Sequence, residues 1–371
     1  MKPSQLVTFS RPVRVLAIGD PYMPVGSFAE ALASLGAAVE VTQMQISRTD
    51  AQPPLTPSEH RLREYAGDPA EVARAAAGHE VLVLHGAPVS AEVLDTPGLR
   101  LVCCARGGPV NVDVAAATER GIPVASTPGK NAEAVAELTI AFALMLIRGV
   151  PRASRYIADG GRLADSAFEG REYFGQEAPQ TTLGLVGLGH VGRQVAIRAV
   201  ALGFTVVAHD PVPPVTVPDG VALVSFDALL DGADIVSVHA RATADNRHFF
   251  GAKEFARMKQ GARFINTARE SLVDEAELAS AVRRGHIAGA ALDVVERPAG
   301  DARHPLLDLP EVLITPHIGG ATQETLQRGA RQAAAAIAAT LAGQRPAGVV
   351  NPEVFDRNAD SDVAVAAGGG S

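Results

Sequence analysis

Tryptophan is missing from this chain, aromatic residues make up only 4% of it, and its two cysteines, Cys103 and Cys104, are neighbours. Adjacent cysteines are a poor geometry for an ordinary disulfide, which argues against a disulfide-stapled secreted scaffold. There is no CxxC pair and no Cys/His set at metal spacing, so no metal centre is expected and a reducing cytoplasm is the compartment that fits. Clusters of Lys and Arg are lacking too, and a net charge of −8 speaks against a nucleic-acid partner. Long apolar runs are also missing. The longest, residues 138–147, is too short to span a bilayer, and the N-terminal stretch lacks the continuous apolar core of a signal peptide. A soluble protein with no membrane partner is the expectation.

What the chain has in quantity is Ala, Val, Leu and Gly, with 47% apolar residues over 371 positions. That is the make-up of buried parallel strands covered by helices, and the length suggests two domains. The organising stretch is 181–210, TTLGLVGLGHVGRQVAIRAVALGFTVVAHD. An apolar strand, residues 183–186, runs into Gly187-Leu-Gly189-His-Val-Gly192. An amphipathic helix follows, then a second strand, residues 204–208, ending at Asp210. Gly187 suits the tight turn, Gly189 the close approach of a pyrophosphate, and Gly192 the contact of helix with strand. The helix N-terminus offers free N–H groups and its positive dipole end to the phosphates. Asp210, about 20 residues on, suits ribose hydroxyls and so favours NAD over NADP. Arg193, in the first turn of the helix, pulls the other way.

Before this unit, strands at 13–18, 39–42, 80–84, 101–104 and 122–125 alternate with helical stretches, which reads as a small parallel α/β domain without a dinucleotide fingerprint. Asn131 is placed to cap a long helix running to about Arg148, broken by Gly149 and Pro151. Residues 158–180 read as a surface loop. Beyond the fingerprint, strands are expected at 235–238, 262–265, 288–295 and 312–314, and a final alanine-rich helix at 323–341.

In an open parallel sheet the ligand lies at the carboxyl ends of the strands, so the polar residues just after each apolar run matter. After ARFIN comes Thr267-Ala268-Arg269, after AGAALDVV comes Glu296, and after VLITP comes His317. An arginine's planar fork binds a carboxylate in bidentate fashion and polarises a carbonyl beside it. A histidine exchanges a proton with an alkoxide or hydroxyl, and a carboxylate beside it orients the ring. Each residue alone has an ordinary structural explanation; three at successive strand ends of one nucleotide-binding sheet are harder to dismiss. His190, His209, His239, His248 and His286 lack such a placement with a charged partner and are read as catalytically silent. Asp293, inside a strand, is either structural or part of the site.

The segments NVDVAAATERGIPVASTPGKNAEAVAELTIA, GLVGLGHVGRQVA, NTARESLVDEAEL, AGAALDVVE and LPEVLITPHIGGAT together resemble the D-2-hydroxyacid dehydrogenase family. That family includes phosphoglycerate, glyoxylate/hydroxypyruvate and D-lactate dehydrogenases. The resemblance implies two Rossmann-like domains. Residues 1–128, completed by 320–350, would form a smaller flavodoxin-like substrate domain, and 129–319 the doubly wound NAD domain. A flexible tail would occupy 351–371, and a homodimer would form through the cofactor domains. It further implies that Arg269 binds the substrate carboxylate and that His317 is the acid/base. Gly187, Gly189, His190, Val191, Gly192, Asp210, Ala240, Thr267, Ala268, Arg269, Asp293 and Gly319 would line NAD, and Gly107 and Gly108 would offer amides to the substrate.

The chain departs from the family pattern in several places. The family's catalytic glutamate directly precedes the proline after the LDV strand, whereas here the order is Glu296-Arg297-Pro298. Either Glu296 reaches the histidine after a local shift, or the usual glutamate is missing. Glu270 stands where a glycine is usual, the loop His239-Ala240-Arg241 lacks a proline, and Arg106 and Val110 alter the substrate loop. The expected activity is interconversion of a D-2-hydroxy acid and its 2-oxo acid with NAD. The rival reading is a non-catalytic, dimeric NAD(H)-sensing module acting through protein partners.

Overall fold

The computed structural model describes residues 11–50, 52–161, 173–212, 216–296 and 303–356. Its contacts divide the chain into two units, 1–130 with 322–371, and 131–321. In the first unit, β1 (Val13–Gly19), α1 (Gly26–Ala33), β2 (Val39–Gln45), α2 (Pro69–Ala76), β3 (Val81–Leu84), α3 (Ala91–Leu94), β4 (Leu101–Cys104), α4 (Val114–Glu119) and β5 (Val124–Ser126) follow in order. The strands pair in parallel as β2-β1-β3-β4-β5, the flavodoxin-like order. β3 and β4 are buried on both faces, which is why they read as unbroken apolar runs, whereas the edge strand β2 is half exposed. Cys103 and Cys104 are both free. Successive strand residues face opposite ways, so they enter separate cores, one on each side of the sheet.

The second unit opens with α5 (Ala132–Ile147) and α6 (Val150–Ala158). Asn131 occupies the N-cap of α5, but its side chain makes no capping hydrogen bond. The break at Gly149 is found: its φ of +65° is left-handed, and the two helices meet at a 74° bend. Ten of the sixteen residues of α5 are buried, and it packs on α7, β10 and β11. The surface loop expected at 158–180 falls largely on 162–172, outside the described residues. Then come β6 (Thr182–Val186), α7 (His190–Ala201), β7 (Thr205–His209), β8 (Val221–Leu223), α8 (Phe226–Gly232), β9 (Ile235–Val238), α9 (Ala252–Arg257), β10 (Ala262–Asn266), α10 (Glu275–Arg283), β11 (Ile287–Leu292) and β12 (Val312–Ile314). Their order is β12-β11-β10-β9-β6-β7-β8, all parallel, and the strand order reverses between β6 and β9. β8 was not foreseen: it is a three-residue edge strand with little buried surface, hence no apolar pattern to read.

The chain returns to the first unit with α11 (Gln323–Leu341), whose Leu326, Ala330, Ala333 and Ile337 fill the core beneath β1, β3 and β4. The tail expected from 351 onward needs correcting at its start. Asn351 is fully buried, accepting from Val124 N at 2.8 Å and donating to Ile122 O at 2.9 Å, and Val354 is buried beside it. These bonds finish the edge of β5. Residues 357–371 lie outside the described residues.

Candidate active site

The glycine loop sits at the point of reversal, between β6 and β9. Gly187 has φ +99°, and a Cβ there would lie 2.8 Å from the carbonyl carbon of His239. A Cβ on Gly192 would lie 2.1 Å from Gly187 O, so only glycine lets α7 close onto the loop. A Cβ on Gly189 would meet nothing within 4 Å, which leaves that approach open to a ligand. Gly189 is also the N-cap of α7 and has no side chain to cap it, so the helix presents its first N–H groups beside exposed His190. Val191 and Ala240 are partly buried and pack against the unit's cores. Asp210 closes the loop from the next strand. Its Oδ2 accepts from Leu188 N at 2.8 Å and its Oδ1 from Val212 N at 2.9 Å. Arg193 is turned to Thr216, donating to its carbonyl and, at 3.1 Å, to its hydroxyl. His239 is a structural member of the loop. It meets Ser237 Oγ at 2.9 Å, and burial pushes its pKa down to about 3, so the ring is neutral.

Three neighbouring strands, β10, β11 and β12, bring the other predicted residues to one edge of this unit. Arg269 is exposed and donates only to its neighbour's carbonyl, Ala268 O, at 2.8 Å; among the described residues no carboxylate pairs with it. The loop beneath it is pinned by Asn266, fully buried at the end of β10. Asn266 accepts from Ala268 N at 3.0 Å and donates to Arg269 O at 2.9 Å. Thr267 Oγ1 meets Thr139 Oγ1 of α5 at 3.0 Å. Neither Asn266 nor Thr139 was singled out from the sequence. An Asn closing an apolar strand, with its known tendency to bond the backbone two residues on, was the available signal.

His317 is exposed, with φ +57°. Non-glycine residues rarely hold this region without surrounding constraints. The constraint is Asp293, whose buried carboxylate accepts from Thr315 Oγ1 (2.6 Å), Ile318 N (2.8 Å) and Gly319 N (2.7 Å), while its carbonyl accepts from His317 N (2.9 Å). Asp293 therefore shapes the turn that carries the histidine. A Cβ on Gly319 would lie 2.8 Å from Asp293 Oδ2, so the turn needs glycine there.

Glu296 departs from expectation. Its Oε1 accepts from Arg247 Nη2 at 2.7 Å and lies 3.4 Å from His248 Nε2, and no hydrogen bond joins it to His317. Its backbone N donates to Glu275 Oε1 at 2.9 Å; Glu275 in turn meets His304 Nε2 at 2.7 Å, and burial pushes the Glu275 carboxyl up. This buried pair turns Glu296 toward the 247–248 loop. His248, read as lacking a charged partner, thus has one. Arg297 and Pro298, where the family's usual glutamate is in question, lie outside the described residues.

In the first unit, Gly107 and Gly108 are exposed, with open space where side chains would be. Their amides donate to no acceptor among the described residues. Arg106 beside them pairs with Glu64, donating to its carbonyl at 2.7 Å and to its carboxylate.

Residues 140–319 match the family model described as D-isomer specific 2-hydroxyacid dehydrogenase, NAD binding domain. The hydroxypyruvate reductase of Thermotoga maritima is 38% identical over 254 residues, covering 67% of this chain and 80% of that one. The chain belongs to the D-2-hydroxyacid dehydrogenase family. Its nucleotide unit is the family's NAD-binding domain, and the glycine loop and Asp210 fit that cofactor without a displaced group. The D-3-phosphoglycerate dehydrogenase of Archaeoglobus fulgidus is 38% identical over 258 residues, 68% of this chain but 48% of that enzyme. The chain spans about half the length of the phosphoglycerate dehydrogenases it matches. Among solved structures, D-lactate dehydrogenase from Aquifex aeolicus, complexed with NAD and lactic acid, superposes with a TM-score of 0.70 at 26% identity, covering 91% of this chain and 99% of that one.

Proposed function

We propose that this protein is an NAD-dependent oxidoreductase that interconverts a D-2-hydroxy acid and its 2-oxo acid. The observation that carries the reading is the shared edge of β10, β11 and β12, where Arg269, without a carboxylate partner among the described residues, and a His317 held by Asp293 follow the glycine loop of one nucleotide-binding sheet. Bound NAD supplies the hydride acceptor and NADH the donor. Arg269 binds the substrate carboxylate with its fork and polarises the reacting carbonyl, and Gly107 and Gly108 are read as amide donors to the substrate. His317 gives a proton to the developing alkoxide in reduction and takes it back in oxidation. Thr267, Ala268, Ala240, Val191 and His190 line the nucleotide, and Asp210 takes the ribose hydroxyls. Asp293 acts through His317 as a positioning residue, and Glu296 has at most an indirect part.

A cytoplasmic homodimer belongs to the same proposal. Two buried free thiols fit a reducing compartment. Among the described residues, no single helix is long and apolar enough to cross a membrane. Sedimentation at several concentrations tests the dimer.

The deciding experiment is NADH oxidation across a panel of 2-oxo acids, with His317→Ala as control. Turnover of one class, lost in the variant, supports the reading. Tight NADH binding without turnover of any member favours the sensing module, a reading to which the absence of a Glu296–His317 bond lends weight.

A further inference from the structure

The first unit has a reversal of its own. In the order β2-β1-β3, the chain runs outward in opposite directions from β1 and β3, and ligands of open α/β sheets bind at the carboxyl ends of such a pair. Asp20 follows β1; His85 and Gly86 follow β3. Asp20 is buried and every site on its carboxylate is in use. Oδ1 accepts from Tyr22 N (2.8 Å) and Met23 N (2.9 Å), and Oδ2 from Gly86 N (2.6 Å) and His85 Nδ1 (2.9 Å). Burial alone would raise this carboxyl, but the bond from His85 and the two backbone donors outweigh it and hold the acid ionised. An ionised carboxylate only accepts, so His85 carries its proton on Nδ1.

Lys130 belongs to the same neighbourhood. The residue is buried, 5% exposed, and among the described residues Nζ has no hydrogen-bond partner. The ionisable groups near it are Asp20, Cys104 and Arg106, and Lys130 and Arg106 in turn act on His85. None of these supplies an acceptor. Asp20 is saturated, Arg106 is cationic and spent on Glu64, and burial raises the Cys104 thiol to about 11, leaving it neutral. α11 makes room for the lysine: a Cβ on Gly329 would lie 3.0 Å from Lys130 Cδ and 3.5 Å from Nζ, while Arg328 Nε holds Lys130 O at 2.7 Å. Thr127 Oγ1, three residues earlier, is also buried without a partner among the described residues. An ammonium shut away from water with none of its three donors met is among the costliest groups a fold can hold, unless an anion completes it. Lys2, Lys130, Lys253 and Lys259 are the chain's lysines, so the one buried at this reversal is not drawn from an abundant surface supply.

We propose that the β1/β3 edge of the first unit is an oxyanion pocket in which Lys130 is the countercharge for a second anionic group, carboxylate or phosphate, on the acid substrate. The proposal rests on the dehydrogenase reading for the word substrate, but not for the pocket itself. The lysine's flexible stem lets the amine swing to meet the incoming oxyanion. The substrate class is then a 2-hydroxy acid with an anion at its far end, not a short acid with a neutral tail.

Two measurements on the full chain test it. In the first, the protein labelled with [13Cε]lysine is titrated with inorganic phosphate or with succinate, against chloride at equal ionic strength. Four lysines make the spectrum simple to assign with Lys130→Met. A saturable shift of the Lys130 resonance with phosphate alone assigns a phosphorylated acid. A shift with succinate alone assigns a dicarboxylic acid, and no shift with either overturns the pocket. In the second, kcat/KM is compared for 2-oxoglutarate, phosphonooxypyruvate and the neutral-tailed 2-oxobutyrate. The wild type is expected to favour an anionic-tailed acid by roughly 10- to 100-fold, and Lys130→Met to bring that ratio near one. An unchanged ratio in the variant sinks the proposal while the dehydrogenase reading stands. A Lys130 shift without turnover of any 2-oxo acid keeps the pocket and removes the dehydrogenase.

Discussion

Glu296 Oε1 sits 2.7 Å from Arg247 Nη2, and among the described residues no carboxylate side chain pairs with His317. Both side chains of that ion pair are well exposed, so its contribution is small. Glu296→Gln should therefore cost less than about tenfold in turnover, the scale of an exposed pair. His317→Ala should cost roughly 10²- to 10⁴-fold, the scale of a lost acid/base. Steady-state kinetics of the two variants side by side check this. Equal losses would mean that Glu296 swings to the histidine during turnover.

Asp293→Asn should lose more than a charge. The new NH2 group takes the place of one oxygen and so faces either Gly319 N–H or the donors Ile318 N–H and Thr315 Oγ1, leaving at least one buried donor unmet, a cost of about 1–3 kcal/mol. Because this turn holds His317 at φ +57°, kcat should fall along with Tm. The pH–rate profile separates the roles: a displaced His317 changes its shape, whereas a stability defect alone leaves the profile unmoved.

Arg269→Lys should be nearly silent in thermal melts, since the exposed guanidinium makes only a bond to its neighbour's carbonyl. Its kcat/KM should drop by roughly 100-fold, because an ammonium cannot replace the two-pronged grip on a carboxylate. Wild-type kinetics in the variant would remove Arg269 from the site.

The glycines of the nucleotide loop should separate by phenotype. Gly192→Ala forces a Cβ to 2.1 Å from Gly187 O and should lower stability by about 1–3 kcal/mol or more. Gly189→Ala meets no protein atom within 4 Å and should melt within about 0.5 kcal/mol of wild type. It should nonetheless bind NADH more weakly, since the Cβ fills the space left for the pyrophosphate. Calorimetric NADH titrations alongside melting curves read both.

Lys130 should make stability depend on pH in a definite direction. Burial lowers its pKa from 10.5 to about 8 in the folded state. The unfolded chain therefore binds this proton more readily between those values, and the contribution of Lys130 to stability falls as pH drops from 10.5 to 8. Below pH 8 the penalty is constant, on the order of 3 kcal/mol for a shift of this size. Of the groups facing the amine, Asp20 and His85 are held below that window in the fold and the Cys104 thiol is pushed above it, to about 11, and all three are common to wild type and variant. Lys130→Met should thus melt above wild type at neutral pH, with the gain vanishing toward pH 10.5. A gain independent of pH would mean that the amine binds its proton equally well in the folded and unfolded chains, and so is not shifted by burial.

Local chemistry made much of this protein legible before folding. Apolar runs buried on both faces mark β4 at Leu101–Cys104, and helical periodicity marks α11 at Gln323–Leu341, because each element's signal lies within its own residues. The glycine loop is readable for the same reason: backbone freedom at Gly187 and missing side chains at Gly189 and Gly192 are properties of those positions. β8 escaped because an exposed three-residue edge carries no apolar pattern. Direction and partnership belonged to the tertiary structure alone. A carboxylate written three residues after Asp293 can turn to a histidine or to an arginine, and it is the buried Glu275–His304 pair, distant in sequence, that sends Glu296 to Arg247. Asn351 looks like the start of a loose tail until β5 offers it Val124 N and Ile122 O. Lys130 likewise carries no local signal that sets it apart. Only packing shows that it is buried beside a saturated acid, because burial and unmet hydrogen bonds are relations among distant residues and are written at no single position.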